Sequence, residues 1–64
     1  MRIELHLKPS ELLELRETMS YGGTFRCLYG SSNISIATGK TQLARVQRVR
    51  RRDGVKYNVT LKFA

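Results

Sequence analysis

The chain has 64 residues, with 12 lysines and arginines against 5 acids and a formal net charge of +7. That length suits a single domain over 1–64, with little room for an enclosed active-site cavity. An apolar fraction of 41% argues against disorder, a lone cysteine excludes a disulfide framework, and no apolar run approaches the ~18 residues of a membrane helix.

In chain order, Ile3, Leu5 and Leu7 alternate with Arg2, Glu4, His6 and Lys8, the period-two signature of a strand with one apolar face. Pro9 ends it. Ser10 is a candidate helix cap, with Glu11 in the first turn and Leu12, Leu15 and Met19 at helical spacing, Leu13 widening the stripe. Gly22 and Gly23 stop that helix. Thr24 to Tyr29 reads as a strand, Gly30-Ser31-Ser32-Asn33 as a turn, and Ile34 and Ile36 as the inward residues of the next strand. At the far end Val55, Tyr57, Val59, Leu61 and Phe63 alternate with Lys56, Asn58, Thr60 and Lys62.

Residues 41–52 support two readings. As a helix, Leu43, Val46 and Val49 recur every three residues, a basic last turn suits the C-terminus, and Gly54 terminates it. As a strand, the segment pairs with 55–63 through the hairpin signal Asp53-Gly54; Val46 and Val49 then differ in parity unless a bulge intervenes. An ungapped offset of 31 residues aligns Ile3 with Ile34, Leu12 with Leu43, Leu15 with Val46 and Gly23 with Gly54. That internal match favours the helix. The expected fold is therefore α+β, β-α-β-β-α-β in ferredoxin-like order, with two helices on one face of an antiparallel sheet. The alternative is one helix on a larger antiparallel sheet, with 43–52 as a strand. The expected core joins Ile3, Leu5, Leu7, Ile34, Ile36, Val55, Tyr57, Val59 and Leu61 to Leu12, Leu15, Met19, Leu43 and Val46.

The chemistry lies in the charge pattern. Arg45, Arg48, Arg50, Arg51 and Arg52 crowd into eight residues, and no acid falls between Glu17 and Asp53. Residues 1–17 sum to −1 and residues 18–64 to +8, so the chain is polarised along its length. Guanidinium groups remain ionised and match phosphate oxygens in a planar fork, which points to a polyanionic partner, DNA or RNA. On a helix, Arg45, Arg48 and Arg52 would form one outward stripe, with Arg51 beside it and Arg50 at the apolar border. The expected phosphate-binding set adds Lys40, Lys56, Lys62, Arg2 and Lys8, the strand residues among them facing away from the core. Lys40 joins the set if amide groups of a helix starting near Thr41 help hold a phosphate.

Competing chemistries have little support. Gly39-Lys40-Thr41 ends like a phosphate-binding loop, but Ile34 stands where that motif requires glycine. The signature of the RNA-recognition family is absent: the corresponding strand reads Asn33-Ile34-Ser35-Ile36-Ala37-Thr38. Among aromatics, Phe25 and Tyr29 are the stacking candidates, core packing is the better expectation for Phe25, and Tyr21 is expected at the surface. No catalytic set, cofactor motif or metal-ligand spacing is visible, and His6 reads as solvent-facing.

The leading expectation is a non-catalytic, cytoplasmic nucleic-acid-binding protein with Cys27 as a buried thiol. The alternative is a protein-binding modulator, an inhibitor or accessory subunit of a nucleic-acid enzyme, of the kind phages and plasmids encode. Its partner-facing patch would be Glu11, Glu14 and Glu17, which also suit pairing with arginines of a second copy in a homodimer.

Overall fold

A computed structural model describes residues 1–63. Strand β1 (Arg2–Leu7) leads into helix α1 (Pro9–Tyr21), followed by β2 (Thr24–Tyr29) and β3 (Ser32–Ala37). A single 3-10 turn, Thr38–Lys40, connects to the long strand β4 (Thr41–Arg51), and β5 (Gly54–Phe63) completes the order. Two antiparallel sheets result, one with strand order β1-β5-β4 and one formed by β2 and β3 alone.

This arrangement overturns the ferredoxin-like expectation. There is one helix, not two, and residues 41–51 are a strand. The single four-stranded sheet is also absent, because Ile34 and Ile36 pair with Cys27 and Phe25 in the separate hairpin. The offset of 31 residues does not correspond to a structural repeat, since it aligns α1 with β4.

The reason lies at Ala44. Leu43 faces Leu61 and Val46 faces Val59 across the ladder, yet they are three residues apart, an odd spacing that a regular strand cannot place on one face. The ladder shifts between Leu43 and Arg45, so Ala44 is the extra residue of a bulge. The bulge converts strand periodicity into what reads as helical spacing. Val49 gains nothing from it: it faces Lys56 on the opposite side of the sheet from Val46.

Helix α1 starts and stops differently from each other in origin. Lys8, not Ser10, is the residue flanking its start, Pro9 opens the first turn, and Glu11 Oε1 accepts the Lys8 backbone N–H at 2.9 Å. At the far end Gly22 takes φ +69°, and the Gly22 and Gly23 amides donate to the carbonyls of Met19 and Thr18. That pair of reversed bonds satisfies two orphan carbonyls and depends on the left-handed glycine.

The core comprises Leu5, Leu7, Leu12, Leu15, Phe25, Cys27, Ile36, Val59 and Leu61, with Ile3, Met19, Ile34, Leu43, Val46, Tyr57 and Phe63 packed around it. Helix α1 and the β2–β3 hairpin thus cover one face of the three-stranded sheet. Val55 lies outside this core, and Leu13 is exposed.

Thr38 joins the hairpin to the helix end. It is buried, and both its Oγ1 (2.6 Å) and its backbone N–H (3.0 Å) donate to the Gly23 carbonyl. Replacing Thr38 with valine preserves shape but removes one buried donor, which costs about 1–2 kcal/mol. The melting temperature should fall by roughly 4–16 °C, measurable by circular dichroism.

Candidate nucleic-acid interface

Pairing registers define the uncovered face of the three-stranded sheet. Arg2, Lys62 and Gln42 form one cross-strand row, followed by Glu4, Thr60 and Arg45, and then by His6, Asn58 and Gln47. Lys56 beside Val49, and Arg51 beside Gly54, continue the face toward the β4–β5 turn. Residues directly opposite on antiparallel strands project to the same side, so Arg2, Lys62, Arg45, Lys56 and Arg51 share this surface. Glu4 is the acid among them.

The cations on this face are in no ion pair among the described residues. Among the described residues the single ion-pair contact joins His6 Nε2 to Glu4 Oε1 at 3.9 Å, with both side chains more than half exposed. His6 is further held by its Nδ1, which donates to Asn58 Oδ1 at 2.7 Å. Arg2, Arg45, Arg51 and Lys62 are exposed and Lys56 is half-buried. Helix α1, with exposed Glu14 and Glu17, lies on the other side of the sheet.

Other expected residues are distributed differently. The strand alternation breaks up the anticipated helical stripe: Arg48 faces Tyr57 and Arg50 faces Val55, on the helix side of the sheet, whereas Arg45 and Arg51 occupy the uncovered side. Arg52 and Asp53 form the turn itself. The turn signal is shifted by one residue, with Gly54 following at φ +128°.

Lys8 leaves the β1 row to flank the helix start. No α-helix begins at Thr41, so Lys40 is not assisted by a row of free helix amides; it shares a cleft of about 380 Å³ with Lys62 and Gln42. Glu11 is engaged by the Lys8 backbone, which removes it from the exposed acidic stripe of Glu14 and Glu17.

Phe25 is 1% exposed and belongs to the core, as expected. Tyr21 is open to solvent. Tyr29 and Leu28 are also exposed, and with Glu4, His6 and Gly30 they line a cleft of about 240 Å³ at the β1 margin of the basic face. Of the two stacking candidates, Phe25 and Tyr29, the fold leaves only Tyr29 exposed. Its proximity to His6 comes from folding the β2–β3 hairpin against β1, which no local pattern records.

Cys27 is a buried free thiol. Burial chiefly, and the nearby Glu11 charge in addition, raise its pKa above the ordinary thiol value of 9.0. At neutral pH it is protonated and a poor nucleophile. A thiol-modifying reagent should react far more slowly with the folded protein than with the urea-unfolded chain. The sign of the pH effect follows from the upward shift. The folded state retains its proton longer, so this contribution is intact below about pH 9 and is lost as pH rises toward the folded value. The stability of the native sequence should therefore fall more steeply above pH 9 than that of a Cys27→Ala variant.

Among the described residues no group of three His, Cys, Asp or Glu side chains is placed to hold a metal ion, and no helix is long and apolar enough to cross a membrane. Comparisons with protein-family models, curated proteins and solved structures return no match to this chain.

Proposed function

We propose that this protein binds nucleic acid through phosphate contacts on the uncovered sheet face and the arginine-rich β4 strand, without catalysing a reaction. The observation that carries this reading is the set Arg2, Lys62, Arg45, Lys56 and Arg51 on one surface, with none of the five ion-paired among the described residues. Holding so many like charges together costs self-repulsion, which a polyanion relieves. Gln42, Gln47 and Thr60, interspersed on the same surface, supply further donors for phosphate and sugar oxygens. A chain whose one cysteine is a buried free thiol suits a reducing cytoplasm, where we place it.

A mobility-shift series with duplex DNA, single strands and structured RNA at two salt concentrations tests the reading. Retarded complexes at low salt that dissolve at high salt support it; no complex with any of the three at low salt rejects it.

One observation favours the alternative of a protein-binding modulator. Leu13, Glu17 and Tyr21 are all exposed and fall at four-residue intervals along α1, a mixed apolar and acidic stripe opposite the basic face. Capture of partners from extract with and without nuclease separates the two readings. Partners that depart with the nucleic acid support the first, and partners that persist support the second.

A further inference from the structure

The uncovered face accounts for Arg45 and Arg51 but leaves Arg48 and Arg50 unused. These project to the helix side, and all four side chains are exposed. A flat anionic surface meets one side of a sheet. Cations on both sides of a single strand suit a partner with phosphates on both sides of that strand, and a groove provides this.

The geometry allows such entry. Among the described residues strand β4 pairs only with β5, and its other edge carries no strand. Strand β1 ends at Leu7, opposite Tyr57, and beyond that point Val49–Arg51 and Gly54–Lys56 continue as a two-stranded ribbon. On the helix side the ribbon is separated from the helix start by an open cleft of about 510 Å³, lined by Lys8, Pro9, Ser10, Asp53, Val55 and Lys56. No acid is ion-paired to any of these arginines among the described residues.

Groove dimensions select the nucleic acid. The major groove of B-form DNA is about 12 Å wide and admits a two-stranded ribbon, whereas its minor groove, about 6 Å wide, does not. The major groove of A-form RNA is deep and too narrow for side chains to read. We propose that the β4–β5 ribbon seats in the major groove of B-form duplex DNA. Arg51 and Arg50, within the ribbon, then contact phosphates along opposite walls, and Arg45 and Arg48, level with Glu4 and Leu7 where β1 still pairs with β5, contact those at the rim on the same two sides.

This rests on the nucleic-acid reading above, and the test separates their failures. Fluorescence anisotropy would compare the intact protein and two double variants, R45Q/R51Q and R48Q/R50Q, on a DNA duplex, an RNA duplex of the same sequence and a single strand, across a salt series. Each variant should lower the salt slope on duplex DNA by about 1.8, since each neutralised phosphate contributes about 0.9. Duplex DNA should bind at least about tenfold more tightly than duplex RNA, with the margin set by the groove argument. Methyl green, which occupies the major groove, should compete, and distamycin, which occupies the minor groove, should not.

A slope lowered by R45Q/R51Q but unchanged by R48Q/R50Q would overturn the groove proposal while leaving phosphate binding intact. Equal or tighter binding of duplex RNA or of the single strand would do the same. Absence of binding to every probe would overturn both. Matching circular dichroism spectra establish that the variants fold; if a double variant does not, single R48Q should still lower the slope by about 0.9.

Discussion

Binding to duplex DNA is expected to weaken about 500-fold between 50 and 200 mM salt from the uncovered sheet face alone. The figure follows from Arg2, Lys62, Arg45, Lys56 and Arg51, which share that face and are in no ion pair among the described residues. If each neutralises one phosphate, log K against log salt has a slope of about −4.5. Engagement of Arg48 and Arg50 on the second wall of a groove steepens it to about −6. Anisotropy titrations at four salt concentrations would measure the slope. A value near zero would mean that these cations do not meet phosphates, whatever the affinity at a single salt concentration. Alanine at Arg45 and Arg51 should weaken different DNA sequences to a similar extent, because phosphate contacts carry no base information.

Phe25→Ala should produce the largest loss of stability in the chain. Phe25 is 1% exposed and sits opposite Ile36, where the two-stranded hairpin meets the shared core. Truncating a buried phenylalanine costs about 3–5 kcal/mol through lost transfer energy and the cavity left behind. A domain of this length has roughly 3–10 kcal/mol in total. The variant should melt some 12–40 °C lower, or be substantially unfolded at 37 °C. Leu28→Ala, three residues along the same strand but 59% exposed, should change stability by no more than about 0.5 kcal/mol. Urea titrations of both variants give the comparison. Similar losses would mean that the hairpin does not seal the core through Phe25.

The two experiments address separate levels of the molecule. The arginines on β4 are exposed, so their replacement should alter binding with little effect on folding. The loss at Phe25 should remove binding only by removing the scaffold that aligns β1, β5 and β4. A variant series that separates these effects would locate the activity on the sheet surface rather than in the fold as a whole.

Several elements were legible from residue order because their determinants are local. Alternation in 2–7 and 55–63 marked β1 and β5, whose pairing places Ile3 opposite Leu61 and Leu5 opposite Val59. Pro9, the apolar stripe and the glycine pair delimited α1, although Lys8 rather than Ser10 flanks its start. The abundance of arginine, and its isolation from acids in sequence, are likewise matters of residue order alone.

Residues 41–51 were decided by long-range pairing. Leu43, Val46 and Val49 carry a three-residue period that suits a helix, but β5 offers eleven-residue β4 a ladder of backbone hydrogen bonds, and a bulge at Ala44 brings Leu43 and Val46 onto the core side. That choice also fixed the directions of the arginines. A helix would have gathered Arg45, Arg48 and Arg52 on one outward stripe; a strand sends Arg45 and Arg51 to one side and Arg48 and Arg50 to the other. Residue order thus determined how much positive charge the protein carries and where along the chain it falls. Only the tertiary pairing, through the two-residue alternation it imposes, decided which surfaces receive it.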